Sequence, residues 1–375
     1  MSAVRRQPFV PPVYPFDKLA PFEAMANELE GGVVDLSVGA PVDAPLPAVL
    51  NALASSGQER GYPASIGTGP LRAAARAWMQ RRLDVDVPVE QIAACIGTKE
   101  LVAGLPHWLH LRDPSRDTVL YPAVSYPTYE MGALLAGLRA VRVPVDDRFR
   151  LDVSQISDDD ASRALVLWSN SPGNPAGNLD DLESIVRWGR DHDVLVASDE
   201  CYVEFTWDGP RRTALEWGTD GVLAMHSISK RSNLAGVRCG FYAGDADVVT
   251  FVREVRKHAG FMVPGPVQHA AAVALADDEH VERQASIYRR RLERFAEIVE
   301  KAFGIDVVLP GGGIYLWVPA PDSDAWAFTE RFAREGGALV SPGDFYGPAA
   351  AGYVRIAMVQ PDDRLELVAQ RLGVG

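Results

Sequence analysis

The chain has 375 residues, 47% of them hydrophobic and 23% charged, an ordinary globular composition whose length points to two or three structural units and leaves little room for extended disorder. Its 50 acidic and 37 basic residues give a formal charge of −13, which repels nucleic-acid phosphates and anionic membranes, so neither is expected as a partner. Three cysteines, Cys95, Cys201 and Cys239, are too widely spaced for a disulfide framework or a zinc motif; they read as buried small hydrophobes, and no metal is expected.

The N-terminus, MSAVRRQPFVPPVYPF, is basic but broken by prolines before any apolar run forms. No later stretch is long and apolar enough to span a bilayer, so a cytoplasmic protein is expected. Residues 1–40 hold too little apolar periodicity to fold alone and are expected to pack against a second unit or a neighbouring subunit. From residue 92 onward, short β-rich runs alternate with helical patterns: IAACIG, TVLYP, AVRVPV, ALVLWSN, VLVASDE, VLAMHS and VRCGFYAG read as strands. TKELVAGLPHWLHL, YEMGALLAGL, DLESIVRWGRDH and DADVVTFVREVRKHA read as helices. This order predicts an α/β unit over 41–263 with a mostly parallel sheet and helices on both faces. After Pro264 the pattern changes to long helices, strands DVVLP and GIYLWVP, helix AWAFTERFAREG, strand YVRIAM and helix RLELVAQRL, a smaller α+β unit over 264–375. The basic run Arg289, Arg290, Arg291 reads as a solvated helix face.

In open parallel sheets the ligand lies beyond the carboxyl ends of the strands, so the residues that end each strand are read together. Gly97 and Thr98 follow IAACIG at a helix start, where backbone N–H groups can cap the helix or bind a phosphate. Tyr126 follows TVLYP, and Asn174 follows ALVLWSN within SPGNPAG, a stretch that alone would be a turn. Asp199 ends VLVASD with Tyr202 close behind, and VLAMHS delivers Ser227, Ser229 and Lys230. A carboxylate and an amine at the ends of buried strands each need a partner. One cofactor, pyridoxal 5′-phosphate, meets these demands: an aldehyde for an amine, a ring nitrogen for a carboxylate, a phenolic oxygen, a π face, and a phosphate. Lys230 would hold the aldehyde, while Ser227, Ser229 and Arg238 would hold the phosphate, since the planar arginine fork suits a dianion.

The motifs SIGTKE, YPTYE, NSPGNPAG, SDECY, SISK with GVRCG, and YVRIAM, in this order over about residues 30 to 360, resemble the class I/II aminotransferases of pyridoxal-phosphate fold type I. The resemblance implies a large domain with a mostly parallel seven-stranded sheet sandwiched by helices, and a smaller α+β domain. It implies Lys230 as the Schiff-base lysine, Asp199 as partner of the pyridine nitrogen, Tyr202 and Asn174 as donors to the phenolic oxygen, and Tyr126 stacked on the ring. Gly97, Thr98, Ser227, Ser229 and Arg238 are implied as phosphate ligands. Lys99 is carried with them by position, although a solvent-facing or substrate-side place is the preferred reading. Arg355 resembles the arginine for the substrate α-carboxylate, with Asn174 beside it and Gly39 in the loop over it. Tyr62 resembles the tyrosine that reaches the neighbouring subunit's phosphate, implying a homodimer with shared sites.

The stretches LSVGAPVD, GYPASIGTGPLR, IGTKELVAGLP, VRKHAGFMVPGPVQHAA and SPGDFYGP resemble the actinobacterial-type N-succinyldiaminopimelate aminotransferases of lysine biosynthesis. That implies amino transfer between N-succinyl-L,L-2,6-diaminopimelate and 2-oxoglutarate. The alternatives are an aminotransferase for aspartate, aromatic amino acids or LL-diaminopimelate, or a carbon–sulfur β-lyase. A substrate with distant carboxylates calls for a second cation, and Arg256, Lys257 and His258 are the candidates, against the plainer reading of a basic helix end.

Overall fold

The computed structural model describes residues 9–375; residues 1–8, the start of the basic N-terminal stretch, lie outside the described residues. Twelve strands are present among the described residues: β1 Val34–Asp35, β2 Ile92–Cys95, β3 Thr118–Pro122, β4 Arg139–Val143, β5 Ala164–Asn170, β6 Leu195–Asp199, β7 Val222–Ser227, β8 Gly240–Gly244, β9 Tyr315–Pro319, β10 Ala338–Leu339, β11 Ser341–Pro342 and β12 Tyr353–Ala357.

Seven of these form one sheet in the order β2-β8-β7-β6-β5-β3-β4. Every pairing is parallel except the two made by β8, which runs antiparallel to both β2 and β7. The strands are near-continuous apolar runs because both faces are covered. Successive residues divide between two cores: Val222 and Ala224 pack with helices Gly69–Leu83 and Gly265–Ala276, while Leu223 and Met225 face helices Thr98–Arg112 and Ala246–His258. These helices form where a cap meets an apolar stripe. Asp245 accepts from the N–H groups of Asp247 and Val248, and Val248, Val249 and Val252 are the buried face that follows.

The reversed β8 determines where two charges meet. Lys230 follows the carboxyl end of β7, and Arg238 precedes the amino end of β8; because β8 is antiparallel, both lie at the same edge of the sheet. The strand read as VRCGFYAG begins only at Gly240, because Arg238 sits in the left-handed region at φ 58° and turns the chain.

A second sheet, β11-β12-β9, is antiparallel, and β1 pairs with β10 in parallel. Val34 and Leu36 share a core with Leu292, Phe295, Val354 and Ile356, so the chain before residue 40 packs on the C-terminal unit. Helix Gly265–Ala276, which Pro264 opens as its cap, shares a core with strands of the large sheet.

Three expectations are corrected. DVVLP is not a strand: Val307 is buried but Val308 is 79% exposed, and the segment crosses between units without a pairing partner. Arg291 is not on a solvated face; it is buried and donates to both Asp43 (2.6 and 2.9 Å) and Asp362 (2.7 Å), tying helix Glu279–Phe303 to two other segments. Cys95 and Cys239 are buried, but Cys201 is only partly so and lines a cavity with its thiol 3.2 Å from the Thr98 hydroxyl.

Candidate active site

At the carboxyl edge of the large sheet, a cavity of about 250 Å³ collects the strand-end residues with others from the C-terminal unit and the N-terminal segment. Of the sequence candidates, Gly39, Thr98, Lys99, Tyr126, Asn174, Asp199, Tyr202, Ser227, Ser229, Lys230, Arg238 and Arg355 form its wall. Gly97 lies behind the wall and Tyr62 lies elsewhere, 98% exposed.

Lys230 donates to the Gly39 carbonyl. Burial, with the Arg355 and Arg238 guanidinium groups nearby, brings its amine down to about 8, so a usable fraction is neutral near physiological pH. Asp199 is buried, and loss of water raises its carboxyl above the usual range. Its protein donors are the Tyr129 hydroxyl at 3.0 Å and the Cys201 N–H at 3.3 Å. A carboxylate so enclosed favours a protonated nitrogen as partner.

Two guanidinium groups line the cavity. Arg238 is tethered by its donation to the Ala235 carbonyl (2.8 Å) and lies over Gly97, where an added Cβ would meet its Nη2 at 2.3 Å. Gly97 has φ 73° and precedes helix Thr98–Arg112, whose first N–H groups have no intrahelical partner. Ser227 and Ser229, held together by a 3.1 Å bond from the Ser229 N–H to the Ser227 hydroxyl, complete a polar cradle. Arg355 is 3% exposed, donates to the Asn174 side-chain oxygen (2.8 Å) and to the Ser37 carbonyl, and lies 4.2 Å from the Tyr315 ring centre. Its Nε is buried without a partner, an unmet donor that a carboxylate would satisfy.

Several members of the site carry no sequence signal that set them apart. Tyr315 bonds the Tyr202 hydroxyl at 2.6 Å and backs Gly39, whose Cβ position its hydroxyl would overlap at 2.0 Å. Tyr129 stacks on Trp168 while reaching Asp199, and Asn170 donates to the Asp199 carbonyl (2.8 Å) and receives the Asn174 N–H (2.8 Å). Lys99 lies on the cavity wall and points toward Tyr14, 3.3 Å from its hydroxyl and 5.0 Å from its ring centre. In the basic cluster, Arg256 is 1% exposed with both terminal nitrogens on Glu100 and its Nε unpartnered, Lys257 and His258 are exposed, and none of the three lines this subunit's cavity.

These groups fit pyridoxal 5′-phosphate, since a lysine matches its aldehyde, a buried carboxylate its ring nitrogen, and an arginine over a cradle that a Cβ would fill, with a helix N-terminus, its phosphate. The family model for aminotransferase class I and II matches residues 31–372. Over 371 residues the chain is 42% identical to the 4-dedimethylamino-4-oxo-anhydrotetracycline transaminase OxyQ of Streptomyces rimosus, covering 96% of this chain and 99% of that one. It is 32% identical to an LL-diaminopimelate aminotransferase of Aquifex aeolicus over 364 residues, 92% of each chain. A probable N-succinyldiaminopimelate aminotransferase of Thermus thermophilus shares its fold with a TM-score of 0.85 at 29% identity, covering 95% of this chain and 98% of that structure. With a match along nearly its whole length and a site that suits the shared cofactor, the chain belongs to the pyridoxal-phosphate-dependent class I and II aminotransferases.

Proposed function

We propose that this aminotransferase exchanges an amino group between a diaminopimelate-type amino acid, N-succinyl-L,L-2,6-diaminopimelate, and 2-oxoglutarate, and that it does so as a homodimer. Pyridoxal phosphate, when bound, supplies the aldehyde for attachment and a ring that takes up the electrons of a broken Cα–H bond. Lys230 would be the residue that holds the aldehyde and, as the base of the site, would carry the substrate α-proton on Nζ. Asp199 holds a proton on the ring nitrogen, Tyr202 and Asn174 donate to the phenolic oxygen, and Tyr126 covers the ring. Arg238, Ser227, Ser229, Thr98 and the Gly97 backbone hold the phosphate. Arg355 binds the α-carboxylate, while Tyr62 reaches the partner subunit's phosphate.

The observation that carries the substrate class is Lys99: a cation on the cavity wall that meets a phenol and forms no ion pair among the described residues. A second carboxylate, present on both proposed substrates, suits it. The resemblance to LL-diaminopimelate aminotransferases supports unsuccinylated diaminopimelate as a second reading, and the 42% identity to OxyQ supports a polycyclic ketone acceptor as a third. Mixing the loaded enzyme with single amino donors and following the cofactor absorbance separates them. Bleaching by glutamate and the succinylated diamine, but not by tyrosine, is expected. A response to LL-diaminopimelate alone selects the second reading. Lys99→Gln should raise KM for dicarboxylic donors about tenfold and leave alanine unchanged.

A further inference from the structure

Glu100 stands in the first turn of the helix that opens on the cofactor cavity, two residues after Thr98. A carboxylate there confronts the phosphate that the same helix start receives, and two anions in one turn repel. The chain keeps it and surrounds it. Glu100 Oε1 accepts the Ile96 N–H at 2.7 Å, and Arg256 grips both carboxylate oxygens, Nη1 to Oε2 at 2.8 Å and Nη2 to Oε1 at 2.7 Å. Arg256 is 1% exposed, with its guanidinium 5.3 Å from the ring centre of Trp108 and 5.1 Å from that of Phe261. It has no route to substrate, and its bidentate hold leaves Glu100 little freedom.

We propose that Arg256 is a positioning residue for the cofactor phosphate, acting through Glu100. It neutralises the carboxylate that would oppose the phosphate and fixes that carboxylate on the Ile96 N–H. Ile96 so held sets the Gly97 turn at φ 73°, and the Gly97 turn makes room for Arg238. The N–H groups that follow then stay open to the ligand. A charge on helix Ala246–His258, outside the cavity wall, thereby tunes the affinity of a site on another element.

The test uses apo protein titrated with pyridoxal phosphate, and separately with inorganic phosphate, for the wild type, Arg256→Gln, Glu100→Gln and the double variant, with the melting temperature of each apo protein. Glutamine at 100 still accepts the Ile96 N–H but carries no charge. Arg256→Gln should weaken both ligands by about tenfold or more, and adding Glu100→Gln should restore affinity to within about threefold of the wild type. Glu100→Gln alone should bind within about threefold of the wild type. A double variant as weak as Arg256→Gln, or an Arg256→Gln protein that binds like the wild type, overturns the proposal, because a merely structural brace would lower melting without a charge-specific rescue. Should Arg256→Gln fail to fold, the double variant against Glu100→Gln decides alone: near-equal affinities support the proposal and a tenfold gap overturns it.

Discussion

Lys230 is an amine enclosed with two guanidinium groups, and its chemistry follows from that company. Burial first, and Arg355 and Arg238 next, hold its proton affinity down to about 8 from an ordinary 10.5. The neutral amine is the form that attacks an aldehyde, so the rate at which apo protein captures pyridoxal phosphate should rise with pH and level off above about 8; stopped-flow absorbance across pH 6 to 10 measures it. A rate still climbing at pH 10 contradicts the enclosure argument. Lys230 and Asp199 stood out in the sequence because a charge at the end of a buried strand needs a partner, whereas Asn174, in a stretch that alone reads as a turn, and Arg355, in mid-strand, stood out only by resemblance to family motifs. Tyr315 and Tyr129 were not, because an aromatic inside an apolar strand or helix reads as packing, and only the fold shows that their hydroxyls reach Tyr202 and Asp199. Arg256 was hidden for the opposite reason: a basic helix end looks exposed until Glu100, 156 residues away in sequence, is brought against it.

At the scale of elements, the carboxyl edge works because two strands of opposite direction meet there. The alternation of strands and helices made the parallel core readable, but nothing in VRCGFYAG announced a reversal; pairing direction depends on the whole connection, and the antiparallel β8 is what carries Arg238 to the side of Lys230. The Gly97 turn faces Arg238 across that junction. Gly97→Ala places a Cβ 2.3 Å from the guanidinium and forces φ 73° on a residue that resists it. The variant should bind pyridoxal phosphate about tenfold more weakly and lose about 1 kcal/mol of stability, measured by cofactor titration and by urea unfolding. The N-terminal segment was expected to need a host, and β1 with β10, together with Leu36 against Ala357, shows how it is held. DVVLP carried a strand composition without a strand's partner, and composition alone cannot supply one.

For the molecule as a whole, the large fold and its cofactor were readable, whereas the assembly is a matter for solution. Tyr62 is 98% exposed, so Tyr62→Ala should leave the melting of the apo protein within about 0.5 kcal/mol of the wild type. Weaker cofactor binding in a concentration-dependent dimer is the outcome expected of a shared site, and an unchanged affinity speaks against sharing. A second global property lies beneath the site. Glu200 is 1% exposed, burial raises its carboxyl to about 7 from 4.5, and its Oε2 lies 3.5 Å from the Nε2 of His226, which burial lowers to about 3. Glu200 thus holds a proton in the folded chain between pH 4.5 and 7, and its contribution to stability falls as pH rises through that window, while His226, uncharged in the folded chain down to about pH 3, contributes the opposite slope between about 3 and 6.5. Glu200→Gln should remove the Glu200 part of this balance, a gain relative to the wild type on the order of 3 kcal/mol at pH 8 that vanishes near pH 4, read from unfolding curves at both.

Ser37 and Gly39, two residues apart, accept hydrogen bonds from Arg355 and Lys230 respectively. Ser37 is also held by the Ser341 hydroxyl at 2.8 Å, so on the proposed function a carboxylate at Arg355 and a cofactor at Lys230 would each loosen this short ribbon of backbone without freeing it. Backbone carbonyls of one short segment thereby touch two of the cations on the cavity wall, which ties the order of residues 37–39 to what those cations bind.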